Sequence, residues 1–158
     1  MYQQGDKIVH PLYGAGVVES LEVKEVDGTL QTYYVMQIPV GNLKIMISAA
    51  KAEAHGIRCV HLAEDIVPII SSALDSHVEM PDNWNQRYKE NMDRIKSGQL
   101  AEVALVYRSL LLRERERGLS TAEKKLMTTT KQIILSELIL AKGLDRADAE
   151  DLLEDILG

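Results

Sequence analysis

Val17-Val18-Glu19-Ser20-Leu21-Glu22-Val23, then Asp27-Gly28, then Thr32-Tyr33-Tyr34-Val35-Met36-Gln37-Ile38 reads as two β-strands joined by a tight turn. Both central positions of a type I′ turn need positive φ, which is why Asp-Gly between two such runs signals a hairpin. The returning strand is aromatic and β-branched, the composition of a half-buried strand. Working outward, Lys7-Ile8-Val9 is a short strand that stops before Pro11, whose ring removes a ladder donor. Gly14-Ala15-Gly16 leads into the long strand. On the other side Pro39-Val40-Gly41-Asn42 makes a turn before Leu43-Lys44-Ile45-Met46-Ile47. Four or five short strands at this spacing predict a small β-barrel.

Beyond residue 48 the pattern changes. Residues 49–65 read as a transition with a single helical turn closed at Gly56. Leu62, Ile66, Ile69, Ile70 and Leu74 then recur at helical spacing. The polar run from Ser71 to Pro81 predicts a break. A second helix is expected from a cap at Asp82 or Asn83 to Gly98, and a third over about 99–117, stopped by Gly118. Ser120-Thr121-Ala122-Glu123 is a capping box, in which Ser120 and Glu123 satisfy each other's free backbone amides. It opens a long helix to Lys142-Gly143, and residues 145–156 make a last acidic helix. The fold class is therefore α+β: a β domain over residues 1–55 and an all-helical domain over 56–158.

Composition narrows the function. With 46% apolar and 27% charged residues in 158, the chain can bury a core yet is neither a membrane nor a low-complexity sequence. No apolar run approaches the roughly 18 residues needed to span a bilayer. The N-terminus lacks the basic and apolar blocks of a signal peptide. One cysteine, Cys59 beside Val60, suits a buried thiol, and a cytoplasmic location is the expectation. The net charge of −6 is unevenly placed: residues 82–131 hold 11 Lys/Arg against 7 Asp/Glu, residues 132–158 hold 2 against 7. A phosphate responds to that local balance, not to the total.

Reactive constellations are not apparent. His10, His55, His61 and His77 show no paired metal spacing, and Cys59 with His61 falls short of the four convergent ligands zinc wants. Gly14-Ala15-Gly16 lacks the third glycine and the following helix of a dinucleotide motif. Neither a cofactor nor a metal is expected, and the chain reads as a binder, not an enzyme.

Asn83-Trp84-Asn85-Gln86-Arg87-Tyr88-Lys89 is the most informative segment. Trp84, the only tryptophan, falls in the first turn of its helix, where amides point outward and the dipole favours phosphate. Arg87 lies three residues on, and Lys89 is within reach of a long side chain. An apolar ring beside cations can wedge into a minor groove while the cations hold flanking phosphates. The same spacing also fits a tryptophan stapled onto the domain's own core.

Two blocks of sequence resemble the CarD/CdnL family of bacterial RNA polymerase-binding transcription regulators. The first is Gly5-Asp6-Lys7-Ile8-Val9-His10-Pro11 with Gly14-Ala15-Gly16. The second is Asn83-Trp84 with Arg87-Tyr88-Lys89, then Glu116-Arg117-Gly118-Leu119-Ser120 with Glu123-Lys124, then Ser136-Glu137-Leu138. The resemblance covers essentially the whole chain in order. It implies a Tudor-like barrel that grips the polymerase β subunit and a helical domain on promoter DNA. It also implies that Trp84 wedges into the minor groove at the upstream edge of the transcription bubble. Arg87, Lys89 and Lys124 match the family's basic DNA contacts, and Gln86 stands where a basic residue is frequent.

On the polymerase face, Lys24 and Met46 stand where the family carries arginines. Lys24 keeps the charge without the bidentate fork, and Met46 offers adaptable apolar contact in place of a cation. Val26, Lys44 and backbone pairing along an edge strand are the other expected contacts. A monomer located in the cytoplasm, and on the nucleoid through polymerase, completes the expectation. The competing reading is a protein-only adaptor whose helical domain docks another protein and whose Trp84 is core.

Overall fold

A computed structural model describes residues 1–76 and 79–158. The chain opens with strands β1 (Lys7–His10), β2 (Gly14–Val26), β3 (Thr29–Ile38) and β4 (Leu43–Ser48). A 3-10 turn at Ala49–Lys51 leads to β5 (Arg58–Cys59). Helices α1 (Ala63–Ser71), α2 (Trp84–Lys96), α3 (Leu100–Glu116), α4 (Thr121–Lys142) and α5 (Arg146–Leu157) follow. No described helix is long and apolar enough to cross a membrane.

The hairpin forms as its turn chemistry dictates. Asp27 and Gly28 sit at φ 53° and 79°, and Val26 pairs with Thr29 directly across the turn. β2 runs further than its apolar residues alone suggest, because its outer half is held by pairing to β3 and not by burial. Residues 21–25 are exposed, and Leu30 on the facing strand is 74% exposed. A register shift between Val18 and Ser20 marks a bulge where the buried half meets the projecting half.

The sheet is antiparallel with strand order β4-β3-β2-β1-β5, as a small β domain ahead of the helices requires, and it does not close fully into a barrel. Closure would need a ladder between β4 and β5, and β5 contributes two residues that pair with β1. The sheet's core is Ile8, Val18, Tyr34, Met36, Ile38, Ile47, Ala52 and Ile57. β5 lies past residue 55, so the sheet takes in Arg58 and Cys59. Cys59 is exposed, contrary to the buried thiol expected from its apolar neighbour, since β5 is an edge strand of the sheet.

The helical core joins Ile66, Ile70, Ile95, Leu100, Val103, Leu110, Leu126, Ile134, Leu138 and Leu153. Of these helices α4 is buried on more than one side, and Ile133 to Leu138 are buried without interruption. It packs on α3 and also on β2, so its second half is enclosed from both sides while its first turns keep an exposed polar face. At the β2 contact Ala15 donates its N–H to Ser136 Oγ at 2.8 Å. Gly14 has φ +100°, and a Cβ there would lie 2.5 Å from Ser136 Oγ. A glycine at this position is what lets strand and helix approach.

Candidate nucleic-acid interface around Trp84

Asn83 caps α2, its side chain accepting the N–H of Gln86 at 3.0 Å. That fixes Trp84 as the first helical residue. Its ring stacks on Tyr88 one turn later, with centroids 5.4 Å apart and planes at 17°. Tyr88 itself packs against the helical core. The indole Nε1 donates to Ser120 Oγ at 3.1 Å. Ser120 caps α4, and its hydroxyl also accepts the N–H of Glu123 and donates to Glu123 Oε1. One donor and two acceptor sites are therefore all occupied. Trp84 remains 42% exposed: it is rooted on one side and open on the other. The core-staple alternative describes the rooted side only.

Arg87 does not stand free beside the ring. It is buried, with Nε donating to Glu123 Oε2 at 2.8 Å and Nη2 to Oε1 at 3.1 Å. Nη1 donates to the carbonyls of Pro81 and Asp82 at 3.1 Å each. The physical reason is the capping box: it places the Glu123 carboxylate inside, and a buried carboxylate needs a cation. Hydrogen bonding from Arg87 holds the Glu123 carboxyl below its ordinary value against the opposing effect of burial, and Ser120 adds to the lowering. Arg87 thus ties the start of α2 to the start of α4.

The other expected contacts are exposed. Lys89 reaches Asp93 at 3.0 Å, and Gln86 Nε2 reaches Glu90 at 3.4 Å, each one turn along α2. Lys124 stands exposed in the first turn of α4, next to an exposed Lys125 that sequence reading passed over. Arg117 approaches Asp82 at 3.7 Å. The starts of α2 and α4 therefore meet at an open aromatic face, with exposed lysines on both helices. Tyr88 was legible as a ring neighbour from its spacing of four. Ser120 and Glu123 were legible as a cap but not as partners of Trp84 and Arg87, because a contact 36 residues apart leaves no local signal.

On the sheet, Lys24 and Met46 lie side by side, Lys24 Nζ meeting Met46 Sδ at 3.6 Å. Met46 is 45% exposed, so it belongs to the surface and not to the sheet's core. Lys44 pairs with Glu19 at 3.1 Å, and Val26 is half-buried beside the hairpin turn. β4 is an edge strand. Among the described residues no group of three His, Cys, Asp or Glu could hold a metal. His77 lies outside them. His10 is half-buried at the end of β1, its Nδ1 accepting the N–H of Leu12.

Comparison with known proteins divides the chain as the structure does. Residues 2–60 match the family model described as the CarD-like/TRCF RID domain. Residues 69–154 match that of the CarD C-terminal domain. A Bacillus subtilis (strain 168) protein carrying the name "Putative transcription factor YdeB" is 38% identical over 146 residues, covering 91% of this chain and 94% of its own length.

Proposed function

The chain belongs to the CarD family of transcription factors, and from that premise we propose that it regulates transcription by bridging RNA polymerase and opening promoter DNA. Its sheet binds the polymerase β subunit along the β4 edge and the neighbouring surface of Lys24, Val26, Lys44 and Met46. Its helical domain lies on the duplex just upstream of the transcription bubble. There Trp84 wedges into the minor groove, and Lys89, Lys124 and Gln86 contact the backbone. Arg87 acts indirectly, by holding the two helix starts in place.

The observation that carries this reading is the half-exposed Trp84 ring, fixed by Tyr88 and Ser120. A wedge must be rigid, since unstacking a base step costs about a few kcal/mol and a loose ring would turn aside instead. Phosphate contacts and a wedge read shape and opening, not a base sequence. The test is the lifetime of the polymerase–promoter open complex. Trp84→Ala is expected to shorten it to that without the protein, while polymerase binding persists; an unchanged lifetime refutes the wedge. Iodide quenching of the sole tryptophan in the free chain checks the exposure on which the reading depends.

A further inference from the structure

Glu137, in the C-terminal half of α4, is 0% exposed. Removing a carboxylate from water costs several kcal/mol unless it is paired and its lone pairs are filled. Its partners come from the sheet and the segment that follows it. Arg58 of β5 donates Nη2 to Oε1 at 2.8 Å and Nη1 to Oε2 at 2.9 Å. The His61 backbone N–H reaches Oε2 at 2.9 Å, and its ring Nδ1 lies 2.8 Å from the same oxygen. Arg58 also donates Nε to the carbonyl of Gly98, in the turn between α2 and α3, at 2.8 Å. One planar fork therefore fastens the last strand of the sheet to two separate places on the helices, a geometry lysine cannot reproduce. Burial pushes the Glu137 carboxyl up, but the Arg58 hydrogen bonds and charge, with the His61 N–H, outweigh it and hold it below the ordinary carboxylate value.

Neither residue touches the Trp84 cluster or the surface of Lys24 and Met46. What they join is the route between them. α4 carries Glu137 at the clamp and Glu123 at the ring, so an unbroken rod of roughly 20 Å links the two at 1.5 Å per residue. We infer that the Arg58–Glu137 pair is a positioning element that, beside the Ala15–Ser136 contact of β2 with α4, fixes the sheet and the helices as one body, so that a chain anchored on polymerase presents Trp84 at one place. The two end points of this coupling rest on the function proposed above; the clamp itself does not.

Two readouts on the full chain keep these apart. Residual dipolar couplings of the amides in the free protein are expected to fit one alignment tensor for the parent and to need two for Glu137→Gln. With polymerase and promoter, Glu137→Gln is expected to keep polymerase affinity and parental Trp84 emission, yet to lose about tenfold in open-complex lifetime, because a fixed second contact becomes a tethered one. A single tensor for Glu137→Gln, or two for the parent, overturns the inference whatever the polymerase assay gives. An unchanged lifetime overturns the coupling. If Trp84→Ala fails to alter the lifetime while the tensors behave as expected, the clamp stands and the wedge falls. Should Glu137→Gln not fold, Arg58→Gln carries the same readouts from the less buried side of the pair.

Discussion

At the scale of single residues, Arg87 and Lys89 show how position decides what a cation does. They are two apart on one helix, yet one is buried on Glu123 and the other lies in water against Asp93. Arg87→Ala leaves a buried carboxylate unpaired and is expected to cost about 3–5 kcal/mol in urea unfolding. Lys89→Ala is expected to change stability by less than about 1 kcal/mol while weakening association with promoter DNA. The acid limb follows from Glu123 and, with the same sign, from Glu137, whose carboxyl Arg58 holds low. Each folded carboxyl lies below its ordinary value, so the stability it contributes is complete above the unfolded value of about 4.3. That stability is lost as pH falls through the lower folded value. Thermal melts stepped downward in pH from neutrality are expected to drop in that acidic window, and Glu123→Gln to flatten the drop. Residue types made the basic cluster legible in the sequence. They could not reveal that Arg87 is occupied, because its partner lies on another helix.

Elements written in local chemistry were legible, and elements completed by tertiary pairing were not. The Asp27-Gly28 turn and the Ser120/Glu123 capping box each carry their own signal and form as the sequence predicts, and of the two caps offered for α2, Asp82 and Asn83, the structure uses Asn83. Barrel closure and the burial of Cys59 depended on what lies beside β5, and no local pattern encodes a neighbour. The capping box does more than start a helix, since Ser120 Oγ also holds the indole. Ser120→Ala is expected to lose about 0.5–2 kcal/mol of stability and to change the Trp84 emission, where an ordinary cap would change stability alone. Gly14 marks the contact of β2 with α4 in the same way. Gly14→Ala puts a Cβ against Ser136 at a positive φ and is expected to destabilise by about 1–3 kcal/mol, read as a lower urea midpoint.

For the whole molecule, the net charge of −6 and the wedge reading are compatible only if affinity is divided between two partners. Lys89, Lys124 and Lys125 offer a small phosphate footprint, and the acidic α5 opposes long-range attraction to DNA. The proposed anchoring on polymerase would change the arithmetic, because a tethered second site binds at an effective concentration set by geometry rather than by free protein. The division predicts different salt responses for the two steps. Binding of the free chain to duplex DNA is expected to be weak. Extension of open-complex lifetime is expected to fall with salt at a slope of about −0.9 per phosphate neutralised. Lys124→Ala should reduce that slope by about one unit without moving polymerase affinity, whereas Met46→Asp should weaken polymerase binding and leave the slope of any residual activity alone. Titrating both variants in potassium glutamate, with lifetime and polymerase pull-down measured on the same samples, separates the two surfaces. If the two variants instead respond alike, the chain has one surface and the bridging argument fails.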